Sequence, residues 1–201
     1  MLESHEHYTN EVFDEASMRF LDLAQCKFLR CSFVSTNMEE SMFNHCEFVE
    51  CDFRACRLNV GEFIGCAFLN CRFSFSDLFG SRFSHCKMVG SSFDEANMHG
   101  VTLDGGDWSY TNLKFMDFSG LDLSEINFTR ADMTGCNLER CTFDKSRLDG
   151  TVLTQCQLKK ADLSGAEITS INLSLLDLKE VKLGLVHCMM IAQSLGAVVA
   201  P

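Results

Sequence analysis

The chain predicts an all-β solenoid, a ladder of four-cornered coils, and three observations lead there. Starting at Phe13, every fifth residue is apolar through Leu183: 35 consecutive positions, a repeat covering 175 of the 201 residues. The chemistry of these centres recurs at every fourth centre. Phe13, Phe33, Phe53, Phe73 and Phe93 form one column, and Met18, Met38, Leu58, Leu78 and Met98 form another that lacks Phe. The only proline is the terminal Pro201, as expected where stacked backbone must keep its N–H donors.

A period of five suits neither regular element. An α-helix turns about 100° per residue, so residues five apart drift off any one face. A flat strand alternates faces, so five steps would turn the side chain outward. The period works if the chain turns a corner once per unit and each centre points back to a common axis. Four units then close one coil. With stacked strands about 4.8 Å apart, the repeat makes roughly nine coils and a rod ~42 Å long. Each buried centre contributes roughly 1.5–3 kcal/mol before conformational entropy is subtracted.

In chain order, residues 1–10 read as a polar tail or cap, residues 11–185 as the solenoid, and residues 186–201 as a helical cap and dimerisation segment. His5 and His7 lie in the tail and make no metal cage. His45 and His85 share a column but lie two coils apart, about 9.6 Å, too far to share a metal. Of the 12 cysteines, 11 (positions 26, 31, 46, 51, 56, 66, 71, 86, 136, 141 and 156) fall two residues before a centre. Ala, Ser, Thr and Gly also occupy that position, so these cysteines read as small buried hydrophobes rather than zinc ligands or disulfides. They argue for a reducing compartment. Leu29, Val49, Leu69 and Val89 form an outward stripe, continued by Thr129 and Thr169. Asp52 is expected to point to solvent beside the inward Phe53. Gly105-Gly106-Asp107-Trp108 places the only Trp in the core row beside a local adjustment of coil shape.

After Leu183 the register ends. Leu185, Val186, Met189, Met190, Ala192 and Leu195 recur at helical spacing, with Gly196 where a C-capping glycine belongs. This segment is expected to lid the last coil. The candidate dimer interface on it is Leu185, Val186, Met189, Met190, Leu195 and Val198.

Net charge is −11. Residues 1–125 hold 20 acids against 9 bases, whereas residues 126–201 hold 8 of each. The run from 94 to 125 carries Asp94, Glu95, Asp104, Asp107, Asp117, Asp122 and Glu125 against the single Lys114. No basic stripe exists for direct nucleic-acid binding. No stretch is long enough to span a bilayer and residues 1–10 hold no hydrophobic signal region, so the expected location is cytoplasmic. No nucleophile elbow, phosphate loop or paired Cys and His stands at a catalytic spacing, so the expectation is a non-enzyme without cofactor or metal.

Runs such as Ala131-Asp132-Met133-Thr134-Gly135 and Ala161-Asp162-Leu163-Ser164-Gly165 resemble the consensus of the pentapeptide-repeat family. The resemblance implies a right-handed quadrilateral β-helix. The carboxyl end, from Leu178 through Val199, is similar to that of Qnr-type quinolone-resistance proteins and mycobacterial MfpA. That branch implies rods joined end to end as homodimers, binding to DNA gyrase and topoisomerase IV, and an acidic surface that imitates duplex DNA. The seven acids between Asp94 and Glu125 are then the expected partner-binding residues. Resistance to fluoroquinolones or other gyrase poisons would follow. Unlike typical Qnr proteins, this register has no loop interrupting it, which puts drug protection in question. Duplex DNA of ~42 Å would carry roughly 25 charges, so imitation by this chain is partial. The rival reading is an assembly module with an unrelated protein partner.

Overall fold

The structure is a computed structural model that describes residues 2–199, and it is a parallel β-solenoid with four sides. Short strands run from His7–Thr9 to Ile126–Asn127. A 3-10 turn at Leu173–Leu175 and one helix, α1, at Leu185–Ser194 follow. Successive pairings step by one coil: His7 with Lys27, Lys27 with Glu47, Glu47 with Ala67.

Each unit turns because its corner residue, two after the centre, takes a left-handed conformation. Among the described residues twenty-five non-glycine residues do so, all at multiples of five, and they include Phe75 (φ 60°), Phe115 (φ 60°) and Val60 (φ 55°). Such a conformation costs a non-glycine residue about 1–2 kcal/mol. Hydrogen bonds on both sides of the corner offset it. At the corner Ala55, the Ala55 N–H donates to Ser74 O (3.0 Å) in the next coil, and Cys56 N–H closes the turn onto Phe53 O (3.1 Å).

The centres fill the axis. Phe33, Phe53, Phe73 and Phe93 stack 4.9 Å apart, centroid to centroid, and Phe28, Phe48 and Phe68 stack at 4.7 Å. Phe83 and Phe93 both end on Trp108 at 5.6 Å. Such aromatic pairs add ~0.5–1.5 kcal/mol each to the burial term. The Trp108 indole N–H is buried without a partner.

The small position two before each centre does more than fit. Where it is Cys, Ser or Thr, its side chain in most coils donates a hydrogen bond to the carbonyl of a centre in the coil before. Cys46 Sγ reaches Leu23 O (3.4 Å), Ser81 Oγ reaches Leu58 O (2.7 Å), Cys136 Sγ reaches Leu113 O (2.9 Å) and Thr151 Oγ1 reaches Phe128 O (2.8 Å). The 12 cysteines are free thiols, and the row explains 11 of them. Asp52 departs from expectation: it is buried, bonded to Arg54 (2.9 Å) and Arg72 (3.4 Å), because two arginines fold back over its carboxylate.

The ladder is not uniform. On the first side it runs unbroken from residue 7 to residue 167, and on the second from 12 to 152. On the third and fourth sides, bridges join 77 to 97 and 82 to 102, and resume with 117 to 137 and 122 to 142. No bridge joins 97 to 117 or 102 to 122. Hydrogen bonds made in the coil before, from Phe75, Leu78, Gly80 and His85 N–H, have no counterparts from Glu95, Met98, Gly100 and Gly105. The solenoid is therefore split along two adjacent sides.

The small position explains the split. At Met116 and Leu121 it is bulky, and neither can make the donor contact that Ser and Cys make elsewhere. Ile126 is equally bulky, yet its step stays paired because Gly106 lies one coil before it. Gly106 has φ 106°, and a Cβ there would lie 2.3 Å from Cys86 O. Valine fits without breaking the ladder, at Val101 and Val181. A second interruption obeys the same rule: no bridge joins 152 to 172 or 157 to 177, where Ile171 and Leu176 occupy the small position.

Candidate partner-binding surface

The split carries the acids. Along the third side a cleft of about 550 Å³ is lined by Asp94, Glu95, His99, Lys114, Phe115 and Asp117, among others. Along the fourth side another, of about 560 Å³, is lined by Arg82, His85, Asp104, Asp122 and Glu125, with Gly105 and Gly120 at its corners. Six of the seven sequence-predicted acids thus gather on two adjacent sides, one on each lip or corner of the opening. Asp107 is the exception. It sits on the intact first side, accepting hydrogen bonds from Ser109 N–H (3.0 Å) and Asn127 Nδ2 (2.9 Å).

The acids are not interchangeable charges. Asp117 accepts from Ser119 N–H (2.9 Å), and Asp122 from Ser124 N–H (3.1 Å), so each shapes its own turn. The Ser119 amide holds the Asp117 carboxyl below the usual carboxylate range, and the Ser124 and Thr142 hydroxyls do the same for Asp122. Asp104 is lowered by the Ser84 hydroxyl and then by Arg82, its ion-pair partner at 3.0 Å. All three carry full charge at neutral pH. Glu125 pairs with Lys145 (3.2 Å), and Lys114 is drawn away to Asp132 (3.2 Å). Among the described residues, Asp94, Glu95, Asp117 and Asp122 have no ion pair, and all four are exposed.

At the carboxyl end, α1 leans on the last coil through His187, which is buried and contacts Ala166 O (3.1 Å), and through Met190 and Ile191. Leu185, Val186, Met189, Leu195 and Val198 are exposed, as is Leu175 beside them. Met190, expected at a dimer interface, instead packs inward against the core. Gly196 (φ 88°) ends the helix, its N–H bonded to Gln193 O (2.9 Å). No helix among the described residues is long and apolar enough to cross a membrane.

Two family models match the chain. One, described as a pentapeptide repeat region, covers residues 76–151, and the other, pentapeptide repeats in eight copies, covers 22–59 and 136–174. The chain belongs to the pentapeptide-repeat family. The fold of this pentapeptide-repeat protein is similar to that of QnrB1, a plasmid-mediated fluoroquinolone resistance protein. In its trypsin-treated R167E form the TM-score is 0.80 at 19% identity, covering 97% of this chain and 100% of that one. For full-length QnrB1 the TM-score is 0.71 at 19% identity, covering 96% and 99%. No curated protein matches the chain.

Phe75, Phe79 and Phe115 are surface aromatics that the period of five does not mark. All are exposed on or beside the third side, and Phe79 stacks on His99 at 6.1 Å. Phe75 and Phe115 occupy corner positions, as Phe20, Val60 and Tyr110 do, and Phe79 precedes a corner, as Leu29, Val49, Leu69 and Val89 do, so the repeat pattern does not single them out. The split did have a signal, in the large residues at the small positions 116 and 121.

Proposed function

We propose that this pentapeptide-repeat protein is a non-enzymatic interaction protein of Qnr type that binds DNA gyrase or topoisomerase IV in place of DNA. The observation that carries the reading is the gathering of six acids on two adjacent sides of the rod's middle, on a fold similar to QnrB1 over nearly the whole of both chains. A rod whose unpaired acids gather on two sides imitates part of a duplex, so shape supplies the rest. The exposed apolar residues of α1 and its flanks would join two rods end to end, which at the spacing of stacked strands makes an acidic rod of roughly 84 Å. The attraction is screened over about 8–10 Å in physiological salt.

The test is a gyrase and topoisomerase IV supercoiling and decatenation titration with purified protein, with and without a quinolone. Dose-dependent change in activity, or in drug-stabilised cleavage, supports the reading. No change in either enzyme leaves the assembly-module reading, which the exposed Phe75, Phe79 and Phe115 favour.

A further inference from the structure

The opened ladder is itself a binding feature, because it leaves strand edges that a closed solenoid does not have. The upper lip, from Glu95 to Gly105, is bonded only to the coil before it. The lower lip, from Phe115 to Glu125, is bonded only to the coil after it. Between them the N–H groups of Glu95, Met98, Gly100 and Gly105 lack the interstrand acceptors that their equivalents one coil earlier possess. A backbone edge with free donors and acceptors is a template for another strand. Charge selects the strand. Six acids stand on the two lips against Arg82 and Lys114, and those two cations are held by Asp104 and Asp132. Phe115, exposed at the corner of the third side, adds an apolar surface at the rim.

We infer that the split is a docking edge for an extended, basic segment of a partner protein, which adds to the solenoid as a strand. Backbone hydrogen bonds supply the seat, and Arg or Lys side chains alternate toward Asp94, Glu95 and Asp117 on one side or Asp104, Asp122 and Glu125 on the other. The inference concerns the chemistry of the segment and stands whether or not the partner is a topoisomerase. The paired coils offer no such edge, and the second interruption, at 152–172 and 157–177, lies in residues 126–201, whose acids and bases balance, so binding of a basic segment is directed to this level of the rod.

The test uses the whole protein and two fluorescein-labelled ten-residue peptides of equal charge, one alternating Arg and Val, the other alternating Arg and Pro. The Pro peptide keeps the charge but lacks every second amide donor, all on one edge, so it cannot pair with both lips at once. The expected result is saturable binding of the Arg-Val peptide, at least about tenfold weaker for the Arg-Pro peptide. Slowed hydrogen exchange at Met98, Gly100 or Gly105 should accompany binding. The double variant Met116→Ser and Leu121→Ser restores the small donor at both positions, closes the ladder and abolishes binding. Should that variant not fold, the triple variant Glu95→Gln, Asp117→Asn and Asp122→Asn keeps the turn-capping oxygens and should weaken binding about tenfold at low salt. Equal affinity for both peptides would overturn the inference, since charge alone would then explain binding. So would exchange at Met98 and Gly100 as slow, in the free protein, as at Met38 and Glu40. Self-association through the split, lost in the closing variant, would assign the edge to a second copy and overturn it as well.

Discussion

Asn97 and Asp117 stand one coil apart on the third side, and no backbone bridge joins them, although Asp77 with Asn97 and Asp117 with Asn137 are both paired. Met116, beside Asp117, takes a place that Ser and Cys take in closed coils. Leu121 repeats the effect on the fourth side. On the first side the same bulk, at Ile126, is tolerated only because Gly106 makes room.

Gly106 should therefore be intolerant of a side chain. Gly106→Ala sets a Cβ 2.3 Å from Cys86 O in a strained conformation, whereas at Gly120 (φ 75°) nothing lies within 4 Å. Gly120→Ala should cost about 1–2 kcal/mol from backbone strain alone. Gly106→Ala should cost clearly more, read as the difference between the two in urea denaturation. Equal costs would mean that the first side has slack which the geometry denies.

Phe53→Asp should be severe. It strands a carboxylate between Phe33 and Phe73 in the stacked column, beyond reach of water. Asp52→Ala removes the partner of Arg54 and Arg72 and an acceptor for Arg54 N–H (3.1 Å). Both arginines are half-exposed, so that loss should be smaller, about 1–2 kcal/mol. Thermal melting of the two variants separates them; coincident melting would contradict the inward register of residue 53.

These contrasts show what was legible in the sequence. The period of five and the recurrence at every fourth centre specify sides, centres and small positions, because the repeat leaves no alternative way to bury Phe33, Phe53 and Phe73 together. They do not specify how one coil meets the next. That depends on pairs one coil apart, such as Ile126 with Gly106 or Met116 with Ala96, which belong to no single repeat. Asp52 departs from expectation for a related reason. Its partner Arg72 lies a full coil further along the chain, and only stacking brings the two together. The acids form a run in the sequence, but their placement on two open sides, with Asp107 apart, follows from coil geometry. The inward turn of Met190 follows from how α1 leans on the last coil.

Thiol chemistry provides a pH test. Cys188 is the exposed cysteine and Cys156 is half-buried, so a native-state titration with a disulfide reagent should find one fast thiol per chain, a slower one, and the remaining ten only after unfolding. Burial pushes Cys136 up to about 12, and Cys141 and Cys156 up to about 11. Because unfolded thiols ionise near 8.5–9, stability should be fully present below that range and fall as pH rises through it. At the acid end, Asp104, Asp117, Asp122 and Asp162 are lowered by hydrogen bonds, so their contribution is present above about 4 and lost as pH falls further. A melting temperature that rose between pH 9 and 11 would contradict the burial of these thiols.

Sedimentation tests the proposed end-to-end dimer. Leu195→Lys with Val198→Lys alters residues that are exposed, at 74% and 96%. The pair should convert a dimer to a monomer with little change in melting. Met190→Lys should lower the melting temperature instead, because Met190 packs against the core. A wild-type chain that sediments as a monomer at micromolar concentration would remove the dimer.

We propose that the acidic middle of the rod occupies the DNA site of a type II topoisomerase. The most direct measurement is equilibrium binding of labelled protein to purified gyrase and topoisomerase IV, with unlabelled duplex DNA as competitor, over a range of salt. Binding should be displaced by DNA and should weaken as salt rises. The quadruple variant Asp94→Asn, Glu95→Gln, Asp117→Asn and Asp122→Asn should bind at least about tenfold more weakly at low salt while melting like the wild type. Binding to neither enzyme, or binding that DNA leaves untouched and the quadruple variant retains in full, would contradict it.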